Sequence, residues 1–321
     1  MNVTEPNYGY SYIKERYNQT KLFGAHFDHT HQSLWNKIVQ WKLKNMNDIV
    51  ETEDDAEACV VTESKKCKYY KMCETKPLIS ISAADDDIEW GPLSSSNNCK
   101  YSGRVLKLVG NKRFFRKPHS NNFHTIDIPY ASHAHSWIPE SLHFARRFLI
   151  SVAINPYNHF QSEKYGFHIW RKNILKYCKT FLHKNCTHII PGQRGYNMPE
   201  IAVMYSNSIF SIHPPGDTLA RAAIIDSVSL GCIPVFLHTQ QYQLWKMFWN
   251  STDCAINLSW EKKNDFEQMN SLKELFLVKN ISNRREHCIK SSKFLIYNKK
   301  NSEDAAFKLN TIIKEFLGNS T

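Results

Sequence analysis

Apolar residues in this chain gather in short runs separated by polar stretches rich in Pro, Gly, Ser and Asn. Runs of that length, bounded by breakers, predict buried strands over 58–61, 78–82, 125–130, 148–153, 187–190, 209–213 and 233–236. Residues 104–109 fit a strand or a short helix, 254–258 fit one more strand, and 8–17 fit a short strand. Helical spacing takes over between them. Leu34, Ile38 and Trp41, joined by Trp35 and Leu43, make an apolar stripe over 31–46. Further helices are predicted over 169–181, 198–206 and 219–230, then a loop with a helix over 266–278 and two helices over 282–317. Strand and helix alternating at short spacing predict an α/β fold with parallel, doubly wound sheets. A polar, Pro-bearing passage over 131–144 reads as the crossover between two halves. The expected domains are therefore 1–135, 136–290 and a helical segment, 291–321, packing across both.

One stretch carries more than fold. From 209 to 237 the chain reads Ile-Phe-Ser-Ile-His-Pro-Pro-Gly-Asp-Thr-Leu-Ala-Arg-Ala-Ala-Ile-Ile-Asp-Ser-Val-Ser-Leu-Gly-Cys-Ile-Pro-Val-Phe-Leu. The strand ends at His213, and Pro214 and Pro215 stop its pairing. Gly216 permits a tight turn and a close approach of a ligand to the backbone. Thr218 is placed to cap the helix that follows. A helix start offers N–H groups to an anion, with Asp217 beside it. Arg221 suits a bidentate grip on a phosphate. Asp226 suits the hydroxyls of a ribose. His213 is within reach of the same ligand.

Composition narrows the classes. The 321 residues allow two domains, and 42% hydrophobic with 22% charged is a globular balance. A net charge of +11 favours anionic partners. No zinc-finger, basic-zipper or RNA-recognition pattern is present, so no nucleic-acid partner is expected. No run approaches about 18 apolar residues, so no membrane span is expected. The first residues, 1–17, are polar and lack the apolar core of a signal peptide. Nine cysteines include no Cys-x-x-Cys. Cys67, Cys73 and Cys99 cluster and suit pairing in an oxidising compartment, while Cys232 reads as an ordinary buried thiol. Asn-x-Ser/Thr sequons stand at Asn2, Asn18, Asn185, Asn250, Asn257, Asn280 and Asn319. His133, His135 and His143 read as cleft-edge or solvated histidines rather than a closed metal site.

The 209–237 block resembles the signature of exostosin-like transferases, glycosyltransferase family 47. The matching positions are Phe210, Pro214, Gly216, Asp217, Thr218, Arg221, Asp226, Ser227, Gly231, Cys232, Ile233, Pro234 and Val235. The form with Pro-Pro-Gly-Asp, followed by Phe236-Leu-His238 and Tyr242-x-x-Trp245, is most similar to the plant xyloglucan galactosyltransferase branch. Looser similarities run along the chain at Tyr8–Tyr12, Glu53–Val61, Ile88–Pro92, Asp127–Tyr130, Arg147–Ser151 and Trp170-Arg171 with Cys178.

The resemblance implies a GT-B architecture: two Rossmann-like domains facing a cleft, with C-terminal helices crossing back. It implies an inverting transferase that moves a sugar, galactosyl or xylosyl, from a UDP-sugar to a hydroxyl of a glycan acceptor. It implies no required cofactor or divalent metal. Arg171 and Arg147 join Arg221 as candidates for steadying the departing diphosphate. Glu89, then Asp87, are the candidates for the base. Lys76-Pro77-Leu78 stands where the family often has a His, and Ala153–Tyr157 lacks the Gly and Arg of a family loop. The missing His leaves a catalytically inactive binding member of the fold as one alternative, and the Asp-x-Asp within Asp85–Asp87 leaves a metal-dependent GT-A-like enzyme as another. A soluble, cytoplasmic or viral setting is favoured, with a Golgi lumen and a removed anchor as the alternative.

Overall fold

The computed structural model describes residues 58–62, 77–82, 104–109, 123–129, 146–156, 166–180, 182–190, 198–216, 218–297 and 304–318. The expected helix over 31–46 and strand over 8–17 lie outside them. Two parallel sheets organise what is described. The first has strands β1 (Cys59–Thr62), β2 (Leu78–Ser82), β3 (Val105–Val109) and β4 (Phe123–Asp127) in sequential order. Leu78 sits between Cys59 and Val105, and Val105 in turn pairs with Phe123. Leu78, Ile79, Val105, Leu106 and Leu108 are buried without alternation, as in a parallel sheet covered on both faces. β4 starts and stops earlier than the expected 125–130. Pro129 has no N–H for the ladder and restricts Ile128 before it, so pairing ends at Asp127.

The second sheet holds β5 (Phe148–Ala153), β6 (Cys186–Ile189), β7 (Ser208–His213), β8 (Ile233–Phe236) and β9 (Ile256–Asn257). Its order is β6-β5-β7-β8-β9, all parallel. Helix α1 (Phe167–Thr180) joins β5 to β6, α2 (Met198–Ser206) joins β6 to β7, and α3 (Ala222–Ser229) joins β7 to β8. Then come α4 (Ser251–Cys254), α5 (Asp265–Lys273) and α6 (Ile281–Ser292). Every residue of α3 from Ala223 to Ser229 is buried. A helix apolar on nearly every side belongs inside, and α2 and α6 pack against it. α3 ends where Gly231 takes φ +74. The Cys232 N–H then reaches the Ser227 carbonyl at 2.9 Å and the Gly231 N–H reaches Val228 at 2.9 Å, a left-handed stop that glycine adopts without strain.

The chain divides into two compact units. One holds Ser132–Ile296, and the other holds β1–β4 and takes up the chain again at Tyr297. The last helix, α7 (Ala305–Gly318), therefore groups with the first sheet. Its buried stripe is Ala305, Ala306, Leu309, Ile312, Ile313 and Phe316. Asp304 opens it by accepting from the N–H groups of Ala306 and Phe307 at 2.9 and 3.1 Å. Arg104 closes it, donating to the Phe316 carbonyl at 2.6 Å with its guanidinium 4.4 Å from the Phe316 ring.

Two disulfides brace the unit that holds Ser132–Ile296. Cys178 in α1 joins Cys186 at the start of β6, and Cys254 at the end of α4 joins Cys288 in α6. The cluster the sequence pointed to, Cys67, Cys73 and Cys99, lies outside the described residues. Cys232 is free and buried, as expected. Closing a loop whose ends are 34 positions apart in sequence restricts the unfolded chain. Replacing Cys254 and Cys288 together by Ala is expected to lower unfolding free energy by about 2–4 kcal/mol, measured by urea titration of the oxidised wild type and the variant.

Candidate functional site

The order β6-β5-β7-β8 contains a reversal. From β5 the chain goes outward to β6, whereas from β7 it goes the other way to β8. The loops leaving β5 and β7 therefore part, opening a crevice at the carboxyl ends of these two strands. Open α/β sheets bind ligands at that place. The Pro-Pro-Gly loop leaves β7 there, and the 154–156 segment leaves β5 there.

Two arginines converge on the crevice. Arg171 comes from α1 and is buried. Its Nε donates to the Pro215 carbonyl at 3.2 Å and its Nη1 to the Asn155 carbonyl at 3.2 Å. Arg221 donates through Nη1 to the Pro214 carbonyl at 3.3 Å and through Nη2 to the Ala153 carbonyl at 3.2 Å. Each guanidinium thus links the end of β5 to the end of β7. Gly216 is the third element. A Cβ there would lie 2.7 Å from Arg171 Nη2, so any larger residue would require the guanidinium or the loop to shift.

The helix after the loop begins later than its sequence suggests. Thr218 is not its cap. The Thr218 hydroxyl donates to the Ala220 carbonyl at 2.9 Å, and Arg221, with φ −146 and ψ 134, occupies the cap position without a side-chain cap bond. Asp226 follows in the second turn of α3 and is fully buried. His213 is buried too. Its Nε2 lies 2.9 Å from both Ser211 Oγ and Ser227 Oγ, and Ser227 itself donates to the Ile224 carbonyl at 2.9 Å. The imidazole therefore ties β7 to α3 beneath the loop, instead of standing at the ligand surface.

Arg147 is not brought to the crevice. It is exposed at the opposite end of β5, with its guanidinium 5.3 Å from the Phe148 ring. Asp217, Asp87 and Glu89 lie outside the described residues, as do Asp85, Asp86, His133, His135 and His143. Among the described residues no group of His, Cys, Asp or Glu is placed to hold a metal ion. Their helices also include none long and apolar enough to cross a membrane.

Sequence reading missed Arg146, which stands just ahead of β5 and looks like a solvated charge. It donates to the carbonyls of Tyr205 and Ser208 at 2.6 and 3.0 Å and of Leu230 at 2.9 Å. It thus satisfies the carbonyl ends of α2 and α3 with a cation, where the helix dipole favours one. Cys232 lies under it, and burial pushes that thiol up to about 11. It also missed a polar shelf after β8 and β9. There Glu261 accepts from the Thr239 N–H at 2.7 Å, from Thr239 Oγ1 at 2.6 Å and from Ser259 Oγ at 2.7 Å. Burial works to raise that carboxyl, but the hydrogen bonds from Thr239 and Ser259 outweigh it and hold the group below the usual range.

These environments give the fold an acid limit. Burial, and then the charge of Arg221, hold His213 well below the ordinary histidine value of 6.5. Burial does the same, less strongly, to His188 and His238. The unfolded chain therefore takes up these protons first, so stability is full above about pH 6.5 and falls as pH drops below it. Glu261, lowered in the folded state, adds a loss through the carboxylate range. A melting-temperature series from pH 8 to 5 is expected to fall below about pH 6.5. His213→Gln should flatten that slope by up to about 1.4 kcal/mol per pH unit.

A family comparison decides what this crevice belongs to. The model of the exostosin GT47 domain matches residues 82–252, more than half of the chain. The chain belongs to the exostosin GT47 family. The match takes in all of β5 to β8, both arginines and the Pro-Pro-Gly loop. A probable xyloglucan galactosyltransferase of Arabidopsis thaliana is 20% identical over 270 residues, 72% of this chain and 56% of that protein. A second probable xyloglucan galactosyltransferase of the same plant is 24% identical over 225 residues, covering 67% and 42%. The GT47 chain thus spans about half the length of these curated relatives. Among solved structures, the N-terminal domain of Candida albicans trehalose-6-phosphate phosphatase is similar with a TM-score of 0.49 at 8% identity, covering 96% of this chain and 81% of that one. Both units have the parallel α/β build expected for the halves of a GT-B enzyme.

Proposed function

We propose that this GT47 chain is a glycosyltransferase whose donor is a uridine-diphosphate sugar and whose acceptor is a hydroxyl of a glycan. The observation that carries the reading is the pair of guanidinium groups, Arg171 and Arg221, spanning the carboxyl ends of β5 and β7 at the switch point. A diphosphate that departs carries negative charge away from the sugar carbon, and fixed cations in a partly buried crevice stabilise that charge as it develops. Two arginines supply this without a metal ion. Asp226, fully buried in α3 behind the loop, is the carboxylate we propose for the ribose hydroxyls.

In an inverting transfer the acceptor oxygen attacks the sugar carbon as the bond to the diphosphate breaks, and a carboxylate takes the acceptor proton. Glu89, then Asp87, are the residues we propose for that proton. Galactose is the favoured sugar because the relatives above are named as probable galactosyltransferases, with xylose next. The test is a melting-temperature screen of the full chain against UDP, UMP, ADP and UDP-sugars, followed by product analysis with glycan acceptors. UDP at about 100 times its Kd is expected to stabilise the chain by about 2.7 kcal/mol. Absence of any shift with UDP or its sugars would overturn the donor assignment. Binding without transfer or donor hydrolysis would identify the chain as an inactive member of the fold.

A further inference from the structure

Four of the seven sequons fall on described residues, and the structure treats them differently. Asn250 is occupied. Its Nδ2 donates to Asp253 Oδ2 at 2.8 Å, while its Oδ1 accepts from the Thr252 N–H and hydroxyl at 3.3 and 2.7 Å, capping α4. Asn257 sits half-buried in β9, paired with Phe236, and its Oδ1 accepts from the Ser259 N–H at 3.0 Å. Asn185 is exposed, but its sequon runs through Cys186, which is disulfide-bonded to Cys178. Asn280 differs from all three. It is exposed at the turn into α6, takes φ 58 and ψ 34, and makes no side-chain cap bond. Its sequon partner, Ser282, is exposed beside it.

The two disulfides supply an independent observation. Cys178–Cys186 and Cys254–Cys288 form and persist in oxidising compartments, where Asn-x-Ser/Thr sequons are also modified. They argue against the cytoplasmic setting expected from the sequence. We propose that Asn280 is a site of N-linked glycosylation and that Asn250 and Asn257 are not. In that reaction the Asn280 side-chain nitrogen bonds to C1 of an oligosaccharide carried on a polyprenyl diphosphate. The C1–oxygen bond breaks, the polyprenyl diphosphate leaves with the electron pair, and one amide proton is lost. The αL backbone suits the modification, since Asn adopts it readily and the side chain gives up no helix cap by carrying a glycan. A glycan at Asn250 would instead break the Asp253 contact and the start of α4.

The experiment is peptide mapping of the full chain, purified from the cells that make it and again from a eukaryotic secretory expression host, with and without peptide N-glycosidase. The expected result is conversion of Asn280 to Asp by the enzyme in both preparations. Asn280→Gln should remove one glycan from the intact mass, while Asn250→Gln and Asn257→Gln remove none. An unmodified Asn280 in either preparation overturns the proposal, and so does a glycan on Asn250 or Asn257. The mapping does not depend on UDP binding, so the donor assignment stands or falls separately.

Discussion

Arg221→Ala is expected to weaken UDP binding and lower kcat/KM together by about 10–150-fold. The range follows from a hydrogen bond to a charged group contributing about 1.5–3 kcal/mol, with about 1.4 kcal/mol for each tenfold. Arg221→Lys should recover only part of the loss. A lysine keeps the charge, but a single ammonium cannot reproduce the planar fork that reaches the Pro214 and Ala153 carbonyls together. Arg171→Ala should act in the same direction, and the double variant should lose less than the sum, because both groups hold the same two strand ends. Calorimetric titration with UDP checks each step, alongside the melting temperature of each variant. Unchanged UDP affinity in a folded Arg221→Ala protein would falsify the donor site.

Gly216→Ala comes next in expected effect. The new methyl group meets Arg171 Nη2 at 2.7 Å, a distance at which one of the two must move. Overpacking of this kind costs about 1–3 kcal/mol. Here the group displaced is the guanidinium itself, so activity should fall further than stability. The same change in an Arg171→Ala background has nothing to strike and should be close to harmless. A double-mutant cycle of these two residues is therefore expected to show coupling of about 1–3 kcal/mol. Additive losses would mean that the glycine is needed for some other reason.

The sequence made the scaffold legible where apolar runs were sharply bounded. Leu78–Ser82, Phe148–Ala153, Met198–Ser206 and Ile233–Phe236 fall where their patterns predict. The start of α3 was harder to read, because Thr218 has the chemistry of a cap and spends its hydroxyl on Ala220 instead. Arg147 and Arg171 looked equivalent as isolated cations. Strand direction separates them: one precedes β5, while the other reaches back to the carboxyl end of the same sheet. The disulfides were illegible for a related reason. Cys254 and Cys288 meet only because α6 folds back against α4, and spacing alone does not report such a return. Half-buried Arg146 was hidden because its partners are backbone carbonyls, which leave no mark on side-chain patterns.

The late return of the chain has a practical reach. Residues 132–296, which carry both arginines, run as one uninterrupted stretch. The four-stranded unit is split along the chain, with β1–β4 before that stretch and α7 after it. A truncation after Ile296 would strip it of α7 and uncover the surface on which Phe316 meets Arg104 and His124. Fragment work should therefore either splice the final helix back onto the strands through a designed linker or supply it as a separate peptide.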